Sequence, residues 1–330
     1  MRLRLPRSRA GIRRRLSTHP NNAYLDLSRS LDRSVIVLGS ARSGTTKLAE
    51  ALASGRRTRF VLEPMHTYRS PIAPASFVWG DWRAPDADDP ELHDAWRRTL
   101  SGRVRDPKWL DRFNQARFPT RRVVKCVAST NLTPWLRTAF PTVPIVYVVR
   151  DPFATTHSVV RLAEGEWAAT DWDLMLDTYP DALAHRRAAR AGPLQAVATA
   201  ASALSERGLT RYGRGFLRWC LENHLALTAP AADGVRYIRF EALHADPARH
   251  LADLGAFTGL DPRAGIAQFD RPSGTDFRGS VSAARDPDEW RAHITDEERA
   301  EADALLAAFG LTGMFAPDRA DPEPPVRPSD

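Results

Sequence analysis

The sequence predicts an α/β fold in which a mostly parallel sheet is covered by helices on both faces. Three observations lead to this fold class. Short runs rich in β-branched and aromatic residues alternate with longer segments that have helical spacing. The β-rich runs are largely apolar, as is typical of strands that are buried on both faces. Strands that are separated by helices favour right-handed crossovers between parallel neighbours.

Five runs are predicted to be strands: SVIVLG (34–39), RFVL (59–62), RRVVKCV (121–127), PIVYVV (144–149) and VRYIRF (235–240). Helical segments are predicted at 44–53, 130–140, 152–165, 212–229, 245–259 and 294–310. The last two carry their own boundary signals. Asp246 and Pro247 begin the first of them, and a capping box of Thr295 and Glu298 begins the second.

The length allows one large domain or two small ones, and the composition is that of a soluble globular protein. The chain has 330 residues, of which 43% are hydrophobic and 26% charged. We expect a basic, flexible tail over 1–30, a single domain over 31–315 with insertions near 64–120 and 176–211, and a disordered tail over 316–330. No apolar run approaches the roughly 20 residues of a membrane span, and no signal peptide is recognised, so a cytoplasmic protein is the expectation.

The net charge of +7 is mostly arginine, because the chain has only three lysines. Seven arginines lie in the first fifteen residues, a run that is typical of a solvated tail and could also touch anionic lipid. A basic body also suits a polyanionic small substrate, so nucleic acid is not an expected partner. The two cysteines, Cys126 and Cys220, are too few for disulfide bonds to stabilise a fold of this size, and their spacing is not that of a metal-binding motif.

A strand, a glycine-bounded turn and a helix follow one another in VIVLGSARSGTTKLAEAL (35–52). This order presents backbone N–H groups at the positive end of the helix dipole, which is a binding site for phosphate or sulfate. The spacing from Gly39 to Gly44 is that of a nucleotide-binding P-loop, but Thr45 stands where that motif has its lysine. Arg42 lies inside the turn, where its guanidinium can fork onto an anion.

A nucleoside triphosphatase would also need a metal-binding aspartate after a second strand. Asp151 is the candidate, but Arg150 precedes it directly and would weaken magnesium binding there. The missing lysine and this arginine both count against a P-loop kinase, which stays open as an alternative.

At these residues the chain resembles the sulfotransferases that use 3′-phosphoadenosine-5′-phosphosulfate (PAPS), in particular the carbohydrate-type and bacterial branch. GSARSGTTKL is similar to the loop that holds the donor's 5′-phosphosulfate in that family. VVRDPFATTHSVV resembles its second signature, an arginine at a strand end and a serine eight residues later, which bind the donor's 3′-phosphate. YIRFEALHADPARHL and FRGSVSAARDPDEW resemble two later family segments.

The resemblance implies a P-loop-like, three-layer fold and a set of donor-binding residues. These residues are Ser40, Ala41, Arg42, Ser43, Gly44, Thr45, Thr46, Lys47, Arg150, Ser158, Phe240, Arg278 and Gly279. It also implies PAPS as the donor, adenosine 3′,5′-bisphosphate (PAP) as the product, and no metal requirement.

The acceptor side is predicted from the same resemblance. RFVLEPMH resembles the glutamate–proline turn of the carbohydrate-type branch, which makes Glu63 the expected general base, with His66 as an alternative. Arg42 and Lys125 are the expected catalytic cations. The expected reaction is sulfuryl transfer to a hydroxyl of a carbohydrate, a glycolipid or another small molecule, and a sulfotransferase-like binding module without activity is the non-enzyme alternative.

Overall fold

The computed structural model describes residues 24–164, 199, 203–204, 208–228, 233–271 and 289–313. Five short strands form its sheet: β1 (Ser34–Leu38), β2 (Thr58–Leu62), β3 (Arg121–Lys125), β4 (Ile145–Val149) and β5 (Val235–Arg239). Their order across the sheet is β2-β3-β1-β4-β5, and every neighbouring pair is parallel. The predicted α/β class with a parallel central sheet is therefore confirmed.

Eight α-helices connect and cover the strands in the described part of the chain: α1 (Thr45–Leu52), α2 (Pro90–Leu100), α3 (Thr133–Ala139), α4 (Pro152–Glu164), α5 (Arg211–Thr228), α6 (Phe240–Ala245), α7 (Pro247–Thr258) and α8 (Asp296–Ala308). Short 3₁₀ turns lie at Leu31–Arg33, Val127–Leu132, Arg263–Gln268 and Glu289–His293. The Thr295–Glu298 capping box is present at the start of α8. Within the described residues no helix is both long and apolar enough for a membrane crossing.

Each face of the sheet is covered by its own apolar core. Alternate residues of β1 show this most clearly: Ile36 and Leu38 lie in one cluster, and Val35 and Val37 lie in the other. The first cluster includes side chains of α2, α5 and α8, while the second includes side chains of α1 and α7. Burial on both faces explains why the strands read as nearly continuous apolar runs.

A buried ionic network closes the end of the sheet where the strands begin. Arg59 of β2 and Arg122 of β3 have fully buried side chains. The Oδ1 atom of Asp26 lies 2.7 Å from Nη1 of Arg122, and its Oδ2 atom lies 3.6 Å from Nη1 of Arg59. Asp111 accepts a hydrogen bond from Arg59 at 2.8 Å and another from the Tyr24 hydroxyl at 3.0 Å. The network ties residues 24–26 to the end of the sheet where the strands begin.

Candidate active site

The glycine-bounded turn lies at the carboxyl end of β1, in the centre of the sheet. Its backbone needs positive φ angles at Gly39 (139°), Arg42 (71°) and Gly44 (83°). Gly44 is the N-cap of α1, so the first-turn N–H groups of that helix, which have no intrahelical acceptors, point into the turn. A Cβ atom on Gly44 would lie 2.1 Å from the Phe240 ring, which shows how closely the turn packs against α6.

The two predicted signatures meet in space. Arg42 Nε donates a hydrogen bond to Ser158 Oγ at 3.0 Å, across 116 positions of sequence. Arg150 Nη1 donates to the carbonyl oxygen of Arg42 at 3.0 Å. Two guanidinium groups and a hydroxyl are thus brought together between β1 and β4. After β1 the chain runs to β2 on one side of the sheet, and after β4 it runs to β5 on the other side. Open α/β sheets bind their ligands where the connections diverge in this way.

Aromatic rings surround this basic cluster. The guanidinium of Arg150 lies 5.0 Å from the ring centre of Phe240, and the His244 ring stacks on Phe240 at 5.9 Å. Burial, followed by the charges of Lys47 and Arg150, lowers the pKa of His244 below its usual value. The ammonium of Lys47 donates to the carbonyl oxygen of Phe269 at 2.9 Å.

The hydroxyls of the turn are held differently from one another. Ser40 Oγ accepts a hydrogen bond from Asn223 Nδ2, and the Tyr147 hydroxyl donates to Asn223 Oδ1 at 3.1 Å. All three side chains are buried. By contrast, Ser43 Oγ is buried and has no hydrogen-bond partner in the described structure, so it can donate to a ligand bound in the turn. Sequence reasoning missed Asn223, because a single asparagine within an amphipathic helix carries no local signal.

Glu63 and Lys125 form a buried ion pair at the carboxyl ends of β2 and β3. The parallel register pairs Leu62 with Lys125, which puts the residue after Leu62 beside the lysine. Glu63 Oε1 contacts Lys125 Nζ, and Oε2 accepts the N–H of Val127 at 2.9 Å. Glu63 also has a positive φ of 46°, a strained backbone conformation that is often found at functional sites.

His66, the alternative base, lies beside this pair in an aromatic pocket. The rings of Trp79 and Trp109 approach it edge-on, with centroid distances of 5.4 and 5.1 Å. The indole N–H of Trp109 donates to the carbonyl oxygen of Glu63 at 3.3 Å. The two candidate bases, Glu63 and His66, therefore lie in one cluster with two tryptophans of the predicted insertion.

Asp151, the candidate magnesium ligand of a kinase, is used to begin a helix. Its Oδ1 atom accepts the N–H of Ala154 at 2.9 Å in the first turn of α4. Burial raises the pKa of this carboxyl above its ordinary value. Arg278 and Gly279 lie outside the residues that the structure describes.

Several solved structures of sulfotransferases are similar to this chain. One is a sulfotransferase from Alicyclobacillus acidocaldarius, at 18% identity over 84% of this chain and 95% of that one, with a TM-score of 0.37. Another is the sulfotransferase domain of the Synechococcus PCC 7002 olefin synthase, at 16% identity over 84% and 94%, with a TM-score of 0.44. A third is mouse sulfotransferase SULT7A1 complexed with PAP, at 15% identity over 91% of each chain and a TM-score of 0.44. No curated protein matches the chain.

The model of one protein family matches residues 34–198, which is half of the chain. The matched range begins at β1 and includes the glycine-bounded turn, Glu63, Lys125, Arg150 and Ser158. The proteins of that family are described as sulfotransferases. The chain belongs to this sulfotransferase family.

Proposed function

We propose that this sulfotransferase moves the sulfuryl group of PAPS to a hydroxyl group of a carbohydrate or another small acceptor. The contact between the two signatures, Arg42 with Ser158 and Arg150 with the Arg42 carbonyl, is the observation that carries the proposal. It supports one continuous anion site with enough cations for a ligand that has phosphates at both ends of its ribose.

The residues of the site fit such a donor. The turn from Ser40 to Thr46 and the first turn of α1 offer N–H groups and hydroxyls to the phosphosulfate, among them the unpartnered Ser43 Oγ. Arg150 and Ser158 are the proposed 3′-phosphate contacts, and Phe240 is the proposed neighbour of the adenine. Lys47, whose ammonium carries three N–H donors, is a further proposed contact, and Arg278 and Gly279 remain proposals from the sequence.

In the transfer step the acceptor oxygen forms a bond to sulfur while the bond from sulfur to the 5′-phosphate oxygen breaks. The products are the sulfate ester and PAP. We propose that Glu63 takes the acceptor's proton, because each carboxylate oxygen keeps a second lone pair beside the contacts to Lys125 and Val127. Lys125 and Arg42 would stabilise the negative charge on the transferring group and the leaving phosphate.

The donor assignment is tested by replacing Arg150 with alanine. A charge-assisted hydrogen bond contributes about 1.5–3 kcal/mol, so PAP should bind roughly 10- to 150-fold more weakly, whereas adenosine 5′-phosphate should lose little. Isothermal titration calorimetry measures both affinities. Arg161→Ala, which removes an exposed arginine of α4, the helix that follows Arg150, is the control. Equal losses for the two nucleotides would overturn the assignment of Arg150 to the 3′-phosphate.

The role of Glu63 is tested by comparing Glu63→Gln with His66→Gln. A lost general base lowers turnover by about 10²- to 10⁴-fold. We expect this loss in Glu63→Gln, with PAP affinity retained, and a smaller loss in His66→Gln. Because the glutamine also leaves Lys125 without its carboxylate, Glu63→Gln/Lys125→Gln serves as a folding control. That double variant should recover thermal stability but not turnover. If His66→Gln loses more turnover than Glu63→Gln, the histidine is the base.

A further inference from the structure

A row of exposed arginines and aromatic rings begins beside Glu63 and runs along the edge of the sheet. Trp109, which donates to the Glu63 carbonyl, has the guanidinium of Arg69 at 5.1 Å from its ring and that of Arg112 at 5.8 Å. Arg112 also lies 4.9 Å from the ring of Phe113. We call these four residues, Arg69, Trp109, Arg112 and Phe113, the basic track.

The basic track ends in an open groove of about 950 Å³ between the end of α1, the start of β2 and residues 112–118. Four arginines line this groove: Arg56, Arg57, Arg112 and Arg117. Phe118 adds a ring that is 60% exposed. Among the described residues of the lining, the acidic one is Glu50, whose carboxylate accepts a hydrogen bond from Gln268 at 3.0 Å. The groove is therefore strongly cationic, with apolar ring faces between its charges.

Residues 110–120, which carry Arg112, Phe113 and Arg117, are hydrogen-bonded at both ends to the stretch 57–62 that contains edge strand β2. Leu62 N donates to Leu110 O at 2.9 Å near Glu63, and Thr120 N donates to Arg57 O at 2.8 Å at the groove. Arg57 and Leu62 are five positions apart in extended chain, which corresponds to roughly 17 Å at about 3.3 Å per residue. A single small acceptor cannot contact both ends at once.

We infer that this surface binds an extended anionic acceptor, with the reacting hydroxyl at Glu63 and the acceptor's carboxylate or sulfate groups on the arginines of the track and groove. The inference rests on the proposed function and names its substrate class. Guanidinium groups bind carboxylate and sulfate oxygens in pairs, and the exposed Phe118 ring offers a flat apolar face to a sugar ring. The position favours an acceptor chain over a separate ligand, because the track begins at Trp109, which is hydrogen-bonded to Glu63.

The test uses sulfated dextran fragments of two and six glucose units, with unsulfated fragments of the same lengths as controls. Binding is measured on the full chain saturated with PAP, so that the fragments do not compete for the donor site. We expect the sulfated hexamer to bind at least tenfold more tightly than the sulfated dimer, and added salt to remove this difference. The unsulfated fragments should show no such gain.

The decisive variant is Arg112→Gln/Arg117→Gln, with Arg97→Gln/Arg98→Gln on exposed positions of α2 as its matched control. Each exposed ion pair changes affinity by up to about fivefold, so the groove variant should lose roughly 5- to 25-fold for the hexamer and little for the dimer. Equal losses in the control variant, or a hexamer that binds no better than the dimer, would overturn the inference. PAP affinity is measured on the same samples, so a failure of the donor assignment is seen separately.

Discussion

Replacing Gly44 with alanine tests whether the shape of the turn determines donor affinity. The φ of 83° would cost an alanine about 1–2 kcal/mol. Its Cβ atom would also lie 2.1 Å from Cδ2 of Phe240, so the ring must leave its rotamer at a further cost of about 0.5–1.5 kcal/mol. If both costs fall on the binding-competent turn, PAP affinity should fall by roughly 10- to 300-fold.

Calorimetric titration with PAP measures this loss, and urea unfolding shows whether the chain remains folded. The variant Gly44→Ala/Phe240→Leu, with its affinity taken relative to Phe240→Leu alone, separates the two costs, because the smaller side chain makes room for the new methyl group. The single Phe240→Leu variant accounts for the adenine contact proposed for that ring. We expect the double variant to recover the steric part of the loss and keep the backbone part. An affinity within threefold of the parent for Gly44→Ala, or no recovery in the double variant, would refute the reasoning.

Two further predictions concern the network at the other end of the sheet and the pH dependence of binding. Asp26→Ala leaves two buried guanidiniums without that carboxylate and should lower the free energy of unfolding by about 3–5 kcal/mol, with Asp26→Asn intermediate. Tryptophan fluorescence in urea measures this free energy, and a loss below about 1 kcal/mol contradicts the prediction. Burial, followed by the charges of Lys47 and Arg150, holds the pKa of His244 below its usual value. Bound PAP offsets those charges, so it should raise the pKa of His244 and be accompanied by proton uptake. PAP should therefore bind more tightly as the pH falls through the pKa that His244 has in the complex. Calorimetry in buffers of different ionisation enthalpy measures the uptake, and His244→Gln should keep only the contribution of the ligand's own phosphates.

The sheet and the donor signatures were predictable because their signals are local. Each strand is a short apolar run of its own, and all five runs became strands with ends shifted by no more than two residues from the predicted ranges. The glycine spacing of the turn and the eight-residue interval from Arg150 to Ser158 also lie within single segments. Parallel strands bring their carboxyl ends to one edge, so the contact between the two signatures followed from the predicted topology. The domain limits and the residues' roles remain predictions.

The remaining features depend on pairings between distant segments. Arg59 and Arg122 have sequence neighbours that are typical of strand ends, and their complete burial follows only from partners such as Asp26 and Asp111. The Glu63–Lys125 pair depends on the register of β2 against β3. Asn223 contacts Ser40 across 183 positions, and the arginines of the groove come from two segments about 60 residues apart. No periodicity or motif in one segment contains this information.

The contact between Asn223 and Ser40 also bears on the order of folding. The turn after β1 is made early in the chain, but the hydrogen bond that orients its first hydroxyl comes from α5, beyond the end of the family match at residue 198. Contacts between such distant residues form late, because the intervening loop must close before they contribute. A growing chain can therefore complete the apolar strand and the turn well before its donor site is able to bind. Affinity for the donor would therefore report that α5, in the last third of the chain, has packed against the turn.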